Sequence, residues 1–137
     1  EQDIVYREPN PPKLNSGAAP EPGDWSETIA PTPTLLFRYS AVTFNGHRIH
    51  YDYPYVTEAE GYPGLVVHGP MIATFNLRAF IRANPDKRVR HFAYRGVRPL
   101  NVPTPFQVGG RIVEPGKAQL WAGNAAGVAQ SAEVVFD

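Results

Sequence analysis

The stretch Pro70-Met71-Ile72-Ala73-Thr74-Phe75-Asn76-Leu77-Arg78-Ala79-Phe80-Ile81-Arg82-Ala83 is the only long segment of this chain with the character of a helix. Its apolar residues fall on most sides of the helix, which is typical of a helix surrounded by other structure. Pro70 suits the first helical turn, where its missing N–H costs little. Asn84-Pro85-Asp86 ends the segment. The sequence therefore predicts one buried helix over residues 70–83.

The chain after this helix has the pattern of an antiparallel sheet. Segments rich in β-branched and aromatic residues alternate with short breaks that contain glycine, proline or asparagine. The predicted strands are about Val89–Val97, Pro105–Val113, Lys117–Ala122 and Val128–Phe136. One long apolar helix followed by such strands predicts an α+β fold in which the sheet curls around the helix.

The chain before the helix divides into four shorter segments. Thr34–Thr43 is β-branched and aromatic and is predicted to be a strand, and residues 44–52 are predicted to be a polar turn. Pro54–Glu60 is predicted to form a short helix, stopped by glycine and proline. Leu65–Val67 is a short apolar segment that we expect to be buried.

The first 33 residues contain seven of the fifteen prolines, which excludes a helix or a central strand there. Ile4, Val5 and Tyr6 are able to add a short strand, and Trp25 is suited to anchor the segment in an apolar groove. A free disordered tail more often lacks such anchors. We therefore predict that residues 1–33 form an extended arm packed on protein, or a linker between domains.

The bulk composition narrows the class of protein. A chain of 137 residues fits one domain. Its 13 basic and 13 acidic side chains cancel, so charge gives no reason to expect nucleic acid or an anionic membrane as a partner. Cysteine is absent, which excludes disulfides and thiolate chemistry. With no apolar run of membrane-spanning length, we expect a soluble protein of the cytoplasm, or of the mitochondrion if the source is eukaryotic.

The candidate chemistry lies in Thr43-Phe44-Asn45-Gly46-His47-Arg48-Ile49-His50-Tyr51-Asp52 and in Gly64-Leu65-Val66-Val67-His68-Gly69-Pro70-Met71. His50 is able to accept and to give a proton near neutral pH; the alternative is a buried histidine hydrogen-bonded to backbone. Gly69 stands at the start of the predicted helix, where free N–H groups and the helix dipole favour negative charge. An imidazole beside a helix N-terminus suits acid–base chemistry next to a carbonyl.

These two segments resemble the MaoC-like hydratase/dehydratase family of hotdog-fold enzymes. Within that family the chain resembles the C-terminal half of mesaconyl- and itaconyl-CoA hydratases and of mitochondrial-type 3-hydroxyacyl-thioester dehydratases. The resemblance covers residues 34–137 and implies a hotdog fold, a long central helix wrapped by a curved antiparallel sheet. It also implies that residues 1–33 join this domain to another hotdog.

The resemblance assigns His50 as the acid/base and Asn45 as its companion. The family motif has an aspartate where this chain has Asn45, and an amide orients water but does not ionise it. This departure implies a mechanism with one base, His50, acting on a water held by Asn45. Asn45 is alternatively a turn residue, since Asn-Gly is a favoured turn pair. Gly69 N–H is implied to bind the thioester carbonyl oxygen.

Other polar residues are candidates for substrate contacts. His68 is expected to orient its loop or to line the pocket. Arg95 or Arg98 is suited to bind a carboxylate or a phosphate of coenzyme A, and a structural role is the alternative. Arg48 is expected to be a structural cation at the mouth of the site. His47, His50 and Asp52 have metal-like spacing, but strand alternation would separate His47 from the other two, and we predict no metal site.

The resemblance implies an enoyl-thioester hydratase or 3-hydroxyacyl-thioester dehydratase that needs no metal or redox cofactor. Its substrate would be carried on coenzyme A or an acyl carrier protein, and a mesaconyl- or itaconyl-type dicarboxylyl-CoA is one such substrate. The expected partner is a second hotdog domain, either in a homodimer or as an N-terminal half or subunit. Two alternatives stay open: a hotdog acyl-CoA thioesterase, and a non-catalytic hotdog that completes a partner's active site.

Overall fold

The computed structural model describes residues 11–137, and Ile4, Val5 and Tyr6, predicted as a strand, lie outside them. Two short turns, a 3₁₀ turn at Arg48–His50 and a π-helical turn at Tyr55–Ala59, lie between the helix at Pro33–Val42 and the helix at Gly69–Ala83. The helices and strands of the described residues are β1 (Trp25–Ile29), α1 (Pro33–Val42), α2 (Gly69–Ala83), β2 (Val89–Gly96), β3 (Phe106–Glu114), β4 (Lys117–Asn124) and β5 (Gly127–Phe136).

The five strands form one antiparallel sheet in the order β1-β3-β4-β5-β2. Helix α2 contacts all five strands. Its buried residues pack on the inner face of the sheet, where Val108, Leu120 and Val134 are at most 3% exposed. This α+β arrangement of one long helix wrapped by an antiparallel sheet confirms the predicted fold class.

Helix α2 and the four strands after it match the sequence prediction within a few residues at each end. The helix begins one residue before Pro70, which therefore lies in the first turn, as expected. Gly116 has a φ of +82° in the tight turn between β3 and β4, a left-handed conformation that glycine adopts without strain.

The prediction of a strand over Thr34–Thr43 was wrong, because Pro33–Val42 is helix α1. The Thr32 hydroxyl oxygen accepts a hydrogen bond from the Leu35 N–H at 3.1 Å, and Pro33 occupies the first turn. This N-cap and proline pair starts a helix and outweighs the weaker β propensity of the residues that follow. Leu36 and Ser40 are the buried residues of α1.

Part of the predicted arm runs over the sheet of its own chain. Strand β1 is an edge strand, which a proline-rich neighbourhood tolerates. Upstream, the Ser16 hydroxyl donates to the Val128 carbonyl at 2.5 Å, and Asp24 accepts from the Ile112 N–H at 2.9 Å. Trp25 packs on the core and meets the Phe80 ring edge-on, at 5.7 Å between centroids, so it attaches β1 to the core of its own chain.

Candidate functional site

Backbone hydrogen bonds bring the two quoted sequence segments together beside the start of α2. The Val66 N–H donates to the Ile49 carbonyl at 2.9 Å. The Val67 N–H donates to the Leu100 carbonyl at 2.8 Å, which ties the same segment to the loop after β2. The turn that carries His50 is therefore attached to the residues that lead into Gly69.

The His50 side chain is buried, 7% exposed, with one ring nitrogen engaged. Its Nδ1 lies 2.6 Å from the Val66 carbonyl oxygen. A carbonyl only accepts, so Nδ1 carries the proton, and Nε2 of the neutral ring keeps its lone pair. Burial lowers the pKa of His50 below its usual value, against the Val66 hydrogen bond, which raises it, and with a further lowering by His47. A neutral imidazole with a fixed tautomer is the form of a general base.

His68 lies flat against His50, with 3.6 Å between ring centroids and 16° between ring planes. It is 1% exposed, and its Nε2 lies 2.8 Å from the Ser40 hydroxyl oxygen on α1. Burial, with the charge of His50, lowers the pKa of His68 to about 4. His68 therefore remains neutral at pH 7 and lies under His50, within the loop before α2.

Asn45 forms the turn that its alternative role predicts. Its Oδ1 accepts from the His47 N–H at 3.0 Å, and its own N–H donates to the Ser40 carbonyl at 2.9 Å. The residue before it, Phe44, has a φ of +53° and is 96% exposed. The Asn45 side chain is half-buried, and its Nδ2 forms no hydrogen bond with any residue between 11 and 137. Nδ2 is therefore the part of the amide that is available to a water or a ligand.

Gly69 is exposed and is the first residue of α2. A Cβ atom at this position would meet nothing within 4 Å, so the space in front of it is open. Its carbonyl accepts from Gln130 Nε2 at 2.9 Å, and Gln130 Oε1 lies 3.3 Å from Asn76 Nδ2. Two buried polar side chains thus hold the first turn of α2 while its N–H end faces open space.

Arg48 and Asp52 bind each other beside the site. Arg48 donates through Nε and Nη2 to Asp52 Oδ2 at 2.9 and 2.8 Å, and its guanidinium lies 4.1 Å from the centroid of the Tyr55 ring. Asp52 Oδ1 accepts from the Tyr55 N–H at 3.1 Å. These contacts favour the structural role for Arg48. Asp52 braces the next turn and does not complete a metal-binding set with His47 and His50.

Neither of the other two candidate arginines, Arg95 and Arg98, lies at the site. Arg98 is 9% exposed and donates to the Asn124 side chain and the Gly127 carbonyl, both at 2.6 Å, so it braces the β4–β5 turn. Arg95 pairs with Ser131 in the sheet, one position along from Tyr94. Since Phe92 packs on the core, alternation places Arg95 on the opposite face of the sheet from α2. The expectation that Arg95 meets the substrate is therefore not supported by its position.

Sequence reasoning missed Ser40, Asn76 and Gln130, which are all buried and polar. Ser40 lies in the segment predicted to be a strand, and a strand there gives no reason to expect a contact with His68. Asn76 interrupts an apolar helix, and a polar residue there is a sequence signal for a buried hydrogen-bond partner. That partner, Gln130, lies 54 residues away and has no local signal.

Within residues 11–137, no helix is long and apolar enough to cross a membrane.

The fold and the site together define a hotdog protein with a buried histidine beside the N-terminus of its central helix. The family of hydroxyacyl-thioester dehydratases type 2 matches residues 1–102. The chain belongs to this family, which confirms the resemblance seen in the sequence.

Individual relatives agree with this assignment. Mesaconyl-C(4)-CoA hydratase from Chloroflexus aurantiacus is 46% identical over 79% of this chain and 39% of its own length. The mitochondrial hydroxyacyl-thioester dehydratase type 2 from Schizosaccharomyces pombe is 37% identical over 72% of this chain and 32% of its own length. The chain thus spans less than two fifths of the length of each of these two relatives.

A solved structure supports the fold. A MaoC-like dehydratase from Phytophthora capsici superposes with a TM-score of 0.72 and 16% identity, over 98% of this chain and 47% of that chain. At this identity the likeness concerns the fold alone, and it confirms the hotdog architecture.

Proposed function

We propose that this domain carries the acid–base residue of an enoyl-thioester hydratase, or in the reverse direction of a 3-hydroxyacyl-thioester dehydratase. The observation that carries the proposal is the buried, neutral His50, with its Nδ1–H fixed on the Val66 carbonyl. Its free Nε2 belongs to a turn attached to the residues before Gly69. The names of the two curated relatives describe the same reaction class for those proteins.

In the hydration direction, His50 Nε2 takes a proton from water, and the water oxygen bonds to the β-carbon of the enoyl thioester. The electron pair of the double bond moves through the α-carbon onto the thioester carbonyl oxygen. Gly69 N–H, at the positive end of the α2 dipole, stabilises that oxygen. The proton held by His50 then returns to the α-carbon, so the atoms of one water are added and His50 is regenerated.

Asn45 holds the attacking water in this proposal. Because its Oδ1 already accepts from the His47 N–H, Nδ2 is the group that donates to the water oxygen. An amide keeps the water in place without competing with His50 for its proton. The step therefore has one base.

We propose an acyl-CoA or acyl-carrier thioester as substrate, and the first curated relative supports a small dicarboxylyl-CoA of the mesaconyl type. Arg48 and Arg98 are engaged within the domain, and Arg95 lies on the opposite face of the sheet from α2. A second carboxylate of such a substrate would meet a donor from elsewhere, either a group outside these three or a partner domain. The reaction itself draws on the thioester to acidify the α-carbon, without a metal or redox cofactor.

We propose that the partner is a second hotdog domain, in the same native chain or in another subunit. The chain covers 39% and 32% of its curated relatives, so those proteins contain further sequence. Exposed apolar side chains gather between residues 37 and 53, namely Phe37, Val42, Phe44, Tyr51 and Tyr53. Apolar surface of this kind, next to a proposed active site, marks an interface.

Two assays on the same thioester test the function. Loss of enoyl-thioester absorbance without release of free thiol is expected, and thiol release would instead identify a thioesterase. The His50→Ala variant should lose about 10²- to 10⁴-fold in rate, the usual contribution of a general acid–base group. His91→Ala, an exposed histidine on β2, is the matched control and should keep full activity. A His50→Ala variant with an unchanged rate would overturn the assignment.

A further inference from the structure

Three aromatic side chains form a column that ends at His50. The Tyr39 ring meets the His68 ring at 4.7 Å between centroids, and the His68 ring lies 3.6 Å from the His50 ring, nearly parallel to it. Tyr39 belongs to α1, His68 precedes α2, and His50 lies in the turn between them. One face of the His50 ring is therefore covered by the His68 ring, which has no part in the proposed mechanism.

Hydrogen bonds hold both the backbone and the ring of His68 in place. Its backbone carbonyl accepts from the Ile72 N–H at 3.1 Å, within the first turn of α2. Its Nε2 is bonded to the Ser40 hydroxyl at 2.8 Å. His68 Nδ1 is buried and has no hydrogen-bond partner among the described residues, so Ser40 is the polar contact that fixes the ring.

The His50 ring makes one hydrogen bond in its own plane, from Nδ1 to the Val66 carbonyl oxygen at 2.6 Å. A single hydrogen bond still allows a ring to tilt about the donor–acceptor line. A second ring stacked on its face removes that tilt and fixes the direction in which Nε2 points. Orientation of this kind matters because a displacement of about 1 Å at a reacting group can cost about 10²-fold in rate.

We propose that His68, anchored by Ser40, is a positioning residue that sets the ring plane of His50 and leaves the catalytic proton to His50 alone. The proposal rests on the proposed function of His50 and deepens it. In this proposal His68 supports the His50 ring and does not contact the substrate, as the sequence had suggested it would. Ser40, which sequence reasoning did not select, becomes part of the same device.

The charge state of the neighbouring groups fits this role. The pKa of His68 is lowered to about 4 by burial and by the charge of His50, so His68 does not compete for the proton at neutral pH. The His47 ring meets the His50 ring edge-on at 5.7 Å. At the other end of the column, burial and the neighbouring Tyr94 raise the pKa of Tyr39, so Tyr39 stays neutral. Arg48, in the same turn, is neutralised by Asp52.

The test compares Ser40→Ala, His68→Phe and the double variant in the protein with its second hotdog domain present. Ser40→Ala removes the anchor, and His68→Phe keeps a ring but loses the hydrogen bond. Each should lower kcat by about 10- to 10²-fold with KM unchanged, as expected for lost orientation. The double variant should fall no further than the lower single variant, since both changes remove one interaction. Ser131→Ala, an exposed serine on β5, is the matched control.

A second measurement does not depend on turnover. Nitrogen NMR of the His50 ring should show the Nδ1–H tautomer in both the wild type and Ser40→Ala, because the Val66 carbonyl fixes it. The Nδ1 proton should exchange with solvent faster in Ser40→Ala, because a ring that is free to tilt weakens its hydrogen bond to Val66. A role in packing alone would lower stability but leave this exchange rate and kcat unchanged, and that result would overturn the proposal.

The two proposals fail in different ways. If His50→Ala retains full activity, the proposed function fails, whereas the NMR comparison still decides whether Ser40 and His68 orient His50. If His50→Ala is inactive and both variants keep kcat and the exchange rate of the His50 Nδ1 proton, only the positioning role fails.

Discussion

Gln130 on β5 donates through Nε2 to the carbonyl oxygen of Gly69, the first residue of α2, at 2.9 Å. Its Oε1 lies 3.3 Å from Asn76 Nδ2, about two helical turns further along α2. Both amide side chains are at most 1% exposed. These contacts of Gln130 therefore fix the position of the first turns of α2 relative to β5.

Replacing Gln130 by leucine should destabilise the fold, because the amide of Asn76 then has no partner in the core. An unpaired buried polar group costs about 1–3 kcal/mol, and the free energy of unfolding should fall by that amount in urea. Gln119→Leu, on an exposed position of β4, is the control and should change stability by less than about 0.5 kcal/mol. Equal effects of the two changes would show that the contacts of Gln130 are not stabilising.

Gly69→Ala should separate stability from activity. A Cβ at residue 69 meets no atom within 4 Å, so the fold should tolerate it, with a melting temperature equal to or above the wild type. The added methyl group enters the open space where the thioester carbonyl is proposed to lie. We expect about a 10²-fold loss of kcat/KM, comparable to the loss of one oxyanion donor. Full activity in this variant would place the carbonyl elsewhere.

The two substitutions Asn45→Ala and Asn45→Asp test the two roles of this residue. Aspartate keeps the acceptor that the His47 N–H uses, so the turn should survive, whereas alanine removes it. Alanine also loses the Nδ2 donor, so turnover should fall in Asn45→Ala while KM for the thioester stays nearly constant. Asn45→Asp should keep the fold and supply the carboxylate that the family motif has at this position, so its turnover should stay above that of Asn45→Ala. If Asn45→Ala raises KM and leaves kcat unchanged, Asn45 contacts the substrate and not the water.

The long helix and the strands after it were predictable because their signals are local. A proline in the first turn, an apolar run and short glycine-containing breaks all act within a few residues. At helix α1 two local signals conflict: Thr32 and Pro33 start a helix, whereas the β-branched and aromatic residues after them favour a strand. The intrinsic strand propensity of a residue is a weak predictor of secondary structure where an N-cap starts a helix.

The contacts that shape the site were less accessible from the sequence. His50 and Gly69 were selected as candidates from their residue types, their spacing and the family resemblance. Ser40 and His68 are 28 residues apart, and Gln130 and Gly69 are 61 apart. Such pairs depend on the register of a sheet and on how a helix packs over it, which no periodicity in a single sequence encodes.

The pH dependence of hydration should follow His50. Burial lowers the pKa of His50 below its ordinary value of 6.5. The base form is neutral, so kcat/KM should fall as the pH drops through that lowered pKa, and the acid limb should have its midpoint below pH 6.5. The measurement is a pH profile with a substrate that has no titrating group in this range. An acid limb centred above pH 6.5 would contradict the burial of His50 in the working enzyme.

The apolar surface between residues 37 and 53 predicts that the domain pairs with another hotdog. Val42 and Phe44 are 74% and 96% exposed, and a stable interface of obligate type covers about 2,000 Å² or more in total. The sedimentation coefficient should therefore be that of a pair at micromolar concentration, and Val42→Ser should weaken the pairing. Val113→Ser, at an exposed valine of β3 away from this surface, is the control and should leave it unchanged. A stable monomer with full hydratase activity would refute both the pairing and a shared active site.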